Sequence, residues 1–186
     1  DQEYHGQRVK LEASLGNARI SLQIDVGFGD IVIPQPQSIT FPVLLDGPAP
    51  RLQAYTPETT VAEKLHAMVM LGIRNSRMKD FFDLVVISRT MIFEGSVLVR
   101  AISATFDRRG DQAPKKVPYA FTDDFAQDSI KQIQWNAFLR RGKLDLTTNF
   151  EMIVGEIKRF IWEPLRAAAT SNAFKKSWPP GGPWKS

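Results

Sequence analysis

The sequence predicts an α+β fold, with short strands first and a mostly helical part after them. Three observations carry this reading: alternating side chains on both sides of a Gly-Asn turn, a helix opening at Thr56-Pro57, and a stretch over residues 79 to 93 that is apolar nearly all the way round. A chain of 186 residues is long enough to close one or two modest cores.

Residues 7 to 14 alternate polar and apolar side chains, and Ile20, Leu22, Ile24 and Val26 do the same after Gly16-Asn17. This is a β-hairpin signal. Period two sets Ser21, Gln23 and Asp25 on the face opposite the four aliphatics, where polar chemistry can occur. Gly27 and Gly29 then remove side chains beside Asp25, which lets backbone or a ligand come close.

Over residues 31 to 55, Pro34, Pro36, Pro42, Pro48 and Pro50 can neither donate to a ladder nor continue a helix, so a connector is expected, with a short strand near Val43 to Leu45. Thr56-Pro57 then supplies an N-cap followed by proline in the first turn. At about 100° per residue, Val61, Ala62, Leu65, Met68 and Val69 form one apolar arc with Lys64 at its rim. In the helix over 79 to 93, Asp80, Asp83, Leu84 and Ile87 share a face.

Gly110 to Pro118 reads as a polar loop. Helices follow at about 123 to 141, with Phe125, Ile130, Ile133, Phe138 and Leu139 as its apolar residues, and at about 149 to 162, stopped by Pro164. The final stretch from Trp178 to Trp184 should be an irregular tail that packs its tryptophans on the body. The sequence shows no internal repeat and no coiled-coil heptads.

Hydrophobic content of 43% and charged content of 24% exclude disorder of the whole chain. No stretch approaches the roughly 20 apolar residues of a membrane span, and the polar start Asp1-Gln2-Glu3 is no secretory signal. A soluble, cytoplasmic protein with no membrane partner is the expectation. The absence of cysteine excludes disulfide scaffolds and thiolate zinc sites, and two histidines, His5 and His66, exclude histidine-based metal clusters. A net charge of +4 mildly favours a polyanionic partner. Arg108, Arg109, Lys115 and Lys116 form a basic loop that is either solvated or, with Arg140, Arg141 and Lys143, lines an RNA groove.

Charged groups on a helix face that otherwise wants burial are costly unless paired or bound, so Lys64, Asp80 and Asp83 mark a candidate site. Simpler accounts exist for each. An acid at a helix N-cap with another three residues later satisfies free amides, and a rim lysine can merely snorkel. His66 reads as structural, since no serine or aspartate pattern completes a triad with it. Gly27-Phe28-Gly29 lacks the third glycine and following helix of a dinucleotide fingerprint. Phe81, Phe82 and Trp135 read as core rather than base-stacking platforms.

Four segments carry a resemblance: I-D-V-G-F-G-D at residues 24 to 30, E-x-x-x-A-E-K-L-H-A from Glu58 to Ala67, N-S-R-M-K-D-F-F-D-L at 75 to 84, and A-T-F-x-R-R-G at 104 to 110. Together they resemble the AbiEii/AbiGii-type nucleotidyltransferase toxin family, which is of the polymerase-beta type. The resemblance implies that residues 1–54 are the C-terminal part of a nucleotidyltransferase palm, 55–165 a helical domain and 166–186 a tail. It implies transfer of a nucleotide from a nucleoside triphosphate to an RNA acceptor of tRNA type, with two Mg2+ ions. The setting would be a toxin and antitoxin pair with a role in abortive infection, the partner being an antitoxin with a winged-helix domain.

Residue by residue, the resemblance makes Asp25 a metal-binding carboxylate and Lys64 the cation that neutralises triphosphate oxygens. Asp80 would hold Lys64, orient the nucleotide or serve as base; Arg77 and Lys79 would meet phosphates, and Asp83 would fix one of those cations. One departure matters. Two metal carboxylates of the family come from a Gly-Ser followed by an Asp-x-Asp strand, which does not precede Asp25, and Gly95-Ser96 leads into Val97-Leu98-Val99. This chain is therefore expected to be incomplete for catalysis, either a fragment or a shortened relative. The alternatives are a noncatalytic module that binds nucleotide, RNA or a partner protein, and a helical interaction protein with no nucleotide affinity.

Overall fold

The structure, a computed structural model, describes residues 6–144 and 148–186; Asp1, Gln2, Glu3 and His5 lie outside the described residues. The fold is α+β, with short antiparallel sheets and six α-helices among the described residues. It divides into two compact units, Asp1–Ile31 and Val32–Ser186.

The first unit contains the expected hairpin. Strands β1 (Gly6–Leu15) and β2 (Ala18–Gly27) pair antiparallel from Leu15↔Ala18 to Gly6↔Gly27 around a turn where Gly16 takes φ 59°. That left-handed backbone is what a tight hairpin turn demands and what glycine adopts without strain. The register sets Asp25 opposite Arg8.

The second unit opens with β3 (Gln37–Thr40) and β4 (Arg51–Ala54), paired antiparallel with Ile39 opposite Leu52. The strand expected at Val43 to Leu45 is instead the connection between these two. All five prolines lie outside the strands, so the breakers were placed correctly, but the pairing segments flank the Pro42 to Pro50 loop.

Helix α1 (Pro57–Leu71) starts where expected, with the Thr56 hydroxyl accepting from Thr59 N at 3.3 Å. Thr56 and Thr59 also donate to Ile33 O, 3.0 Å in each case, while Ile33 N donates to Thr59 Oγ1 at 2.9 Å. Val61, Ala62, Leu65 and Met68 are fully buried, so the predicted arc faces the core.

Helix α2 (Met78–Thr90) stops before residue 93, because Phe93 and Glu94 form β5 (Phe93–Glu94) against the tail. Helix α3 (Gly95–Arg108) was not foreseen; it is amphipathic, with Leu98, Ala101, Ile102, Thr105 and Phe106 buried. The region expected as one helix over 123 to 141 is two, α4 (Asp123–Gln127) and α5 (Ser129–Gly142). Asp128 separates them by capping α5, its Oδ1 accepting from Ile130 N and Lys131 N at 2.8 and 3.0 Å. Of the apolar residues noted there, Ile130 and Ile133 are exposed and Phe125 is buried.

Helix α6 (Phe150–Thr170) passes straight through Pro164, where a stop was expected. Proline removes the N–H that would bond the carbonyl four residues earlier. That carbonyl belongs to Phe160, and the indole Nε1 of Trp184 donates to it at 2.8 Å. The tail thus supplies the hydrogen bond that the helix lacks. As expected, both tail tryptophans are buried; Trp178 belongs to β6 (Ser177–Trp178), which pairs with β5, and its Nε1 donates to Ser88 O at 2.8 Å.

Helix α6 packs against both α2 and α3, and α3 packs against α1, so one apolar core runs through the helices. Phe81, Phe125, Phe150 and Trp135 form an aromatic cluster under the start of α2, with Phe81 5.2 Å from Phe150 and Trp135 5.3 Å from Phe150 by ring centroid. Each such ring stabilises the fold by about 1.5–3 kcal/mol. The cluster holds rigid the helix end where the charged residues stand. Among the described residues, no helix is long and apolar enough to cross a membrane.

Candidate functional site

Five of the six expected site residues meet at one place, the contact between α1 and the first turns of α2. Lys64 Nζ donates to Asp80 Oδ1 at 2.8 Å and lies 2.7 Å from Asp83 Oδ2. Arg77 Nε stands 2.8 Å from the other Asp80 oxygen, close enough for an ion pair but out of line for a hydrogen bond. Lys79 Nζ donates to Asp83 Oδ2 at 2.6 Å. The charges therefore alternate in space as Arg77, Asp80, Lys64, Asp83, Lys79, and three cations against two carboxylates leave the cluster net positive.

Burial grades across this chain of charges. The Asp80 side chain is 4% exposed and that of Lys64 18%, whereas those of Arg77 and Lys79 are 58% and 71% exposed. An anion approaching from solvent meets the two exposed cations first. Burial works against the charge on Lys64, but its hydrogen bonds to Asp80 and then Asp83 outweigh it and raise its pKa. Burial likewise works against the charge on Asp83, and the hydrogen bonds of Lys64 and Lys79 reverse the balance and lower its pKa.

The helix-cap account of Asp80 does not hold. Arg77 is the N-cap residue of α2 and makes no side-chain capping bond, and Asp80 sits three positions further on. Its oxygens point to Lys64 and Arg77, one element away and one turn back. The snorkelling account of Lys64 fails for the same reason.

Asp25 lies in the first unit, on β2, where Arg8 Nε donates to Oδ1 at 2.7 Å and Gln23 Nε2 donates to Oδ2 at 3.0 Å. The hydrogen bond from Arg8, followed by that from Gln23, lowers its pKa. A divalent cation needs several convergent oxygen ligands. Among the described residues no three His, Asp or Glu side chains form such a group, and the carboxylates of Asp25, Asp80 and Asp83 are each engaged by cations. These residues by themselves do not furnish a magnesium site.

Sequence reasoning missed the residues that position the cluster. Asn75 is fully buried, and its Oδ1 accepts from Arg77 N at 2.9 Å. Lys131 on α5 is also buried; its Nζ donates to Asn75 O at 2.8 Å and stands 5.2 Å over the Phe125 ring. Glu63, beside Lys64, takes Arg109 at 2.8 Å and Thr105 at 3.3 Å, and His66 Nε2 lies 2.8 Å from Asp111 Oδ2 against the edge of Phe106. His66 is thus structural, as read, and Arg109 of the basic loop is committed to Glu63. Phe81 and Trp135 are core, and Phe82 packs partly buried against it. A hint for Lys131 was available, since a lysine in an otherwise apolar helix position is unusual.

The segments that meet here lie within the stretch that a family comparison matches. A family model described as nucleotidyl transferase AbiEii toxin, type IV TA system, matches residues 1–163. The chain belongs to this family. A search of curated proteins and a search of solved structures each return no match. The AbiEii family is one of nucleotidyltransferase toxins of toxin and antitoxin systems, and membership implies an antitoxin partner. In this AbiEii chain, the E-K-L-H segment of α1 binds α2 through Lys64 and the A-T-F-x-R-R-G end of α3 through Glu63.

Proposed function

We propose that this AbiEii chain carries the nucleotide-handling part of a nucleotidyltransferase toxin that moves a nucleotide from a nucleoside triphosphate to an RNA acceptor of tRNA type. The observation that supports the reading is the alternating cluster of Arg77, Asp80, Lys64, Asp83 and Lys79, which is net positive and presents its two exposed cations outward. Arg77 and Lys79 meet phosphate oxygens; Lys64, held between two carboxylates, offers a compact charge behind them. Asp80 keeps Lys64 in place, and Asp83 keeps both lysines in place. The family resemblance implies magnesium with Asp25 among its ligands, and carboxylates beyond Asp25, Asp80 and Asp83 would have to join to hold it. The cellular context is that of a cytoplasmic toxin with a winged-helix antitoxin in an abortive infection system.

A second reading, binding without transfer, is favoured by the lowered pKa of Asp83, which makes it a poor proton acceptor, and by the ion pairs of Asp80 with Lys64 and Arg77. One experiment separates the two. The chain is incubated with each labelled nucleoside triphosphate, total RNA and Mg2+, alongside Lys64→Ala and Asp80→Ala variants. Incorporation lost in both variants supports transfer; binding without incorporation supports the module; incorporation equal in all three proteins removes Lys64 and Asp80 from the site.

A further inference from the structure

The groove beside Asp80 has a second wall that the reading above does not use. Gln134, Phe138 and Arg141 of α5 line it together with Arg77 at the N-cap of α2 and Lys79 and Asp80 in its first turn, around a volume of about 450 Å³. That volume is in the range of small-ligand pockets. The three α5 residues are four and three positions apart, so they form a single stripe along the helix. Their chemistry changes along it from amide to aromatic ring to guanidinium.

Each part has a defined state. The Gln134 Oε1 atom is buried and receives no hydrogen bond among the described residues. An amide oxygen left so is destabilising, and the torsion that carries it is soft, so a ligand N–H entering the groove converts the loss into a contact. Phe138 is held by neighbouring rings, with centroids 5.8 Å from Phe82 and 5.8 Å from Trp135, which fixes its plane. Arg141, Arg77 and Lys79 are exposed at the rim, and the one acid in the lining, Asp80, already has Lys64 as partner. A planar ring with polar edge groups and an attached phosphate matches all three features at once.

We infer that the α2 and α5 groove holds a nucleobase, with Gln134 bonding its edge, Phe138 packing on its ring and Arg141 meeting the attached phosphate. This rests on the nucleotide reading of the neighbouring cluster and extends it by assigning base preference to α5. The base can belong to the nucleoside triphosphate or to the end of the RNA.

Calorimetric titration of the full chain with each of the four nucleoside triphosphates, with short single-stranded RNAs differing in their last base, and with inorganic tripolyphosphate tests the inference. Gln134→Leu should reduce the preference between bases by about tenfold while leaving tripolyphosphate affinity unchanged. Arg141→Glu, at an exposed position, should weaken the base-bearing ligand by at least about tenfold, with far-UV circular dichroism unchanged. A response in the triphosphate arm assigns the donor base and a response in the RNA arm assigns the acceptor base; either supports the groove. Unchanged affinities and preference in both variants, or a wild-type chain that binds nucleotides with no preference among bases, would overturn the groove and leave the nucleotide cluster standing. A wild-type chain that binds neither nucleotide nor RNA overturns the nucleotide reading itself.

Discussion

At the scale of single residues, Lys64 is the pivot of the site because it lies between two carboxylates, Asp80 and Asp83. Removing it leaves Asp80, with a side chain 4% exposed, facing the misaligned Arg77 as its one remaining cation among the described residues. Breaking a buried pair in this way costs about 3–5 kcal/mol when the remaining charge is fully buried, and Arg77 offsets part of that. Lys64→Ala is therefore expected to lose about 2–4 kcal/mol in urea denaturation, while Lys79→Ala, whose ammonium is largely solvated, should lose no more than about 1 kcal/mol. Equal losses would show that the gradient of burial does not set the energetics.

Protonation follows from the same geometry. The folded-state pKa of Asp83 is lowered, so the unfolded chain takes up this proton at a higher pH than the folded one. The stability it contributes is complete above the ordinary carboxylate pKa of about 4 and is lost as pH falls through the lower folded value. For Lys64, whose pKa is raised, the contribution holds throughout the neutral range, up to the ordinary lysine value of about 10, and is lost as pH rises through the raised folded one. Asp83→Asn should thus flatten the fall in Tm on the acid limb, below about pH 5, and, because Asp83 also helps raise the Lys64 pKa, flatten the alkaline limb in part. An acid limb as steep as that of the wild-type chain would contradict the assignment.

At the scale of elements, the informative case is α6. Its break at Pro164 was a sound inference from the residue alone, since proline costs a helix interior about 3 kcal/mol. The helix survives because Trp184, 24 residues beyond Phe160 in sequence, returns a donor to the Phe160 carbonyl. A double-mutant cycle tests this. Trp184→Phe should cost about 1–2 kcal/mol beyond the loss expected from ring size alone, because a buried carbonyl is left without a partner. In a Pro164→Ala background the substituted residue supplies the missing backbone N–H, so the same tryptophan substitution should cost measurably less, a coupling readable by thermal denaturation. Additive losses would mean that the indole bond is incidental. The starts of α1 and the hairpin, by contrast, were legible in sequence, because Thr56-Pro57 and Gly16-Asn17 act through their own backbone conformations.

At the scale of the molecule, the two units differ in how their side chains are covered. In the hairpin, Val9, Leu11, Leu15, Ile20, Leu22, Ile24 and Val26 are all exposed, whereas α1, α2, α3 and α6 share one buried core. A two-stranded hairpin is marginally stable by itself. Amides of β1 and β2 are therefore expected to exchange with solvent on the order of 100-fold faster than those at the centre of α6, measured by hydrogen exchange. Equal protection would show that the hairpin draws stability from beyond its own two strands.

Local signals in the chain were enough to determine the α+β class, the hairpin and its polar face, the opening of α1, and the residue types of the charged cluster. Each of these depends on backbone preference or on a spacing within one element, which sequence displays directly. Only the tertiary structure decided that Lys64 on one helix sits between Asp80 and Asp83 on another, that Asn75 and Lys131 hold the start of α2, and that the tail repairs α6. Apart from the local bond of Asn75 to Arg77 N, those outcomes are set by which donor finds which acceptor across 16 to 56 residues of chain, and a pairing of that kind leaves no periodicity to read.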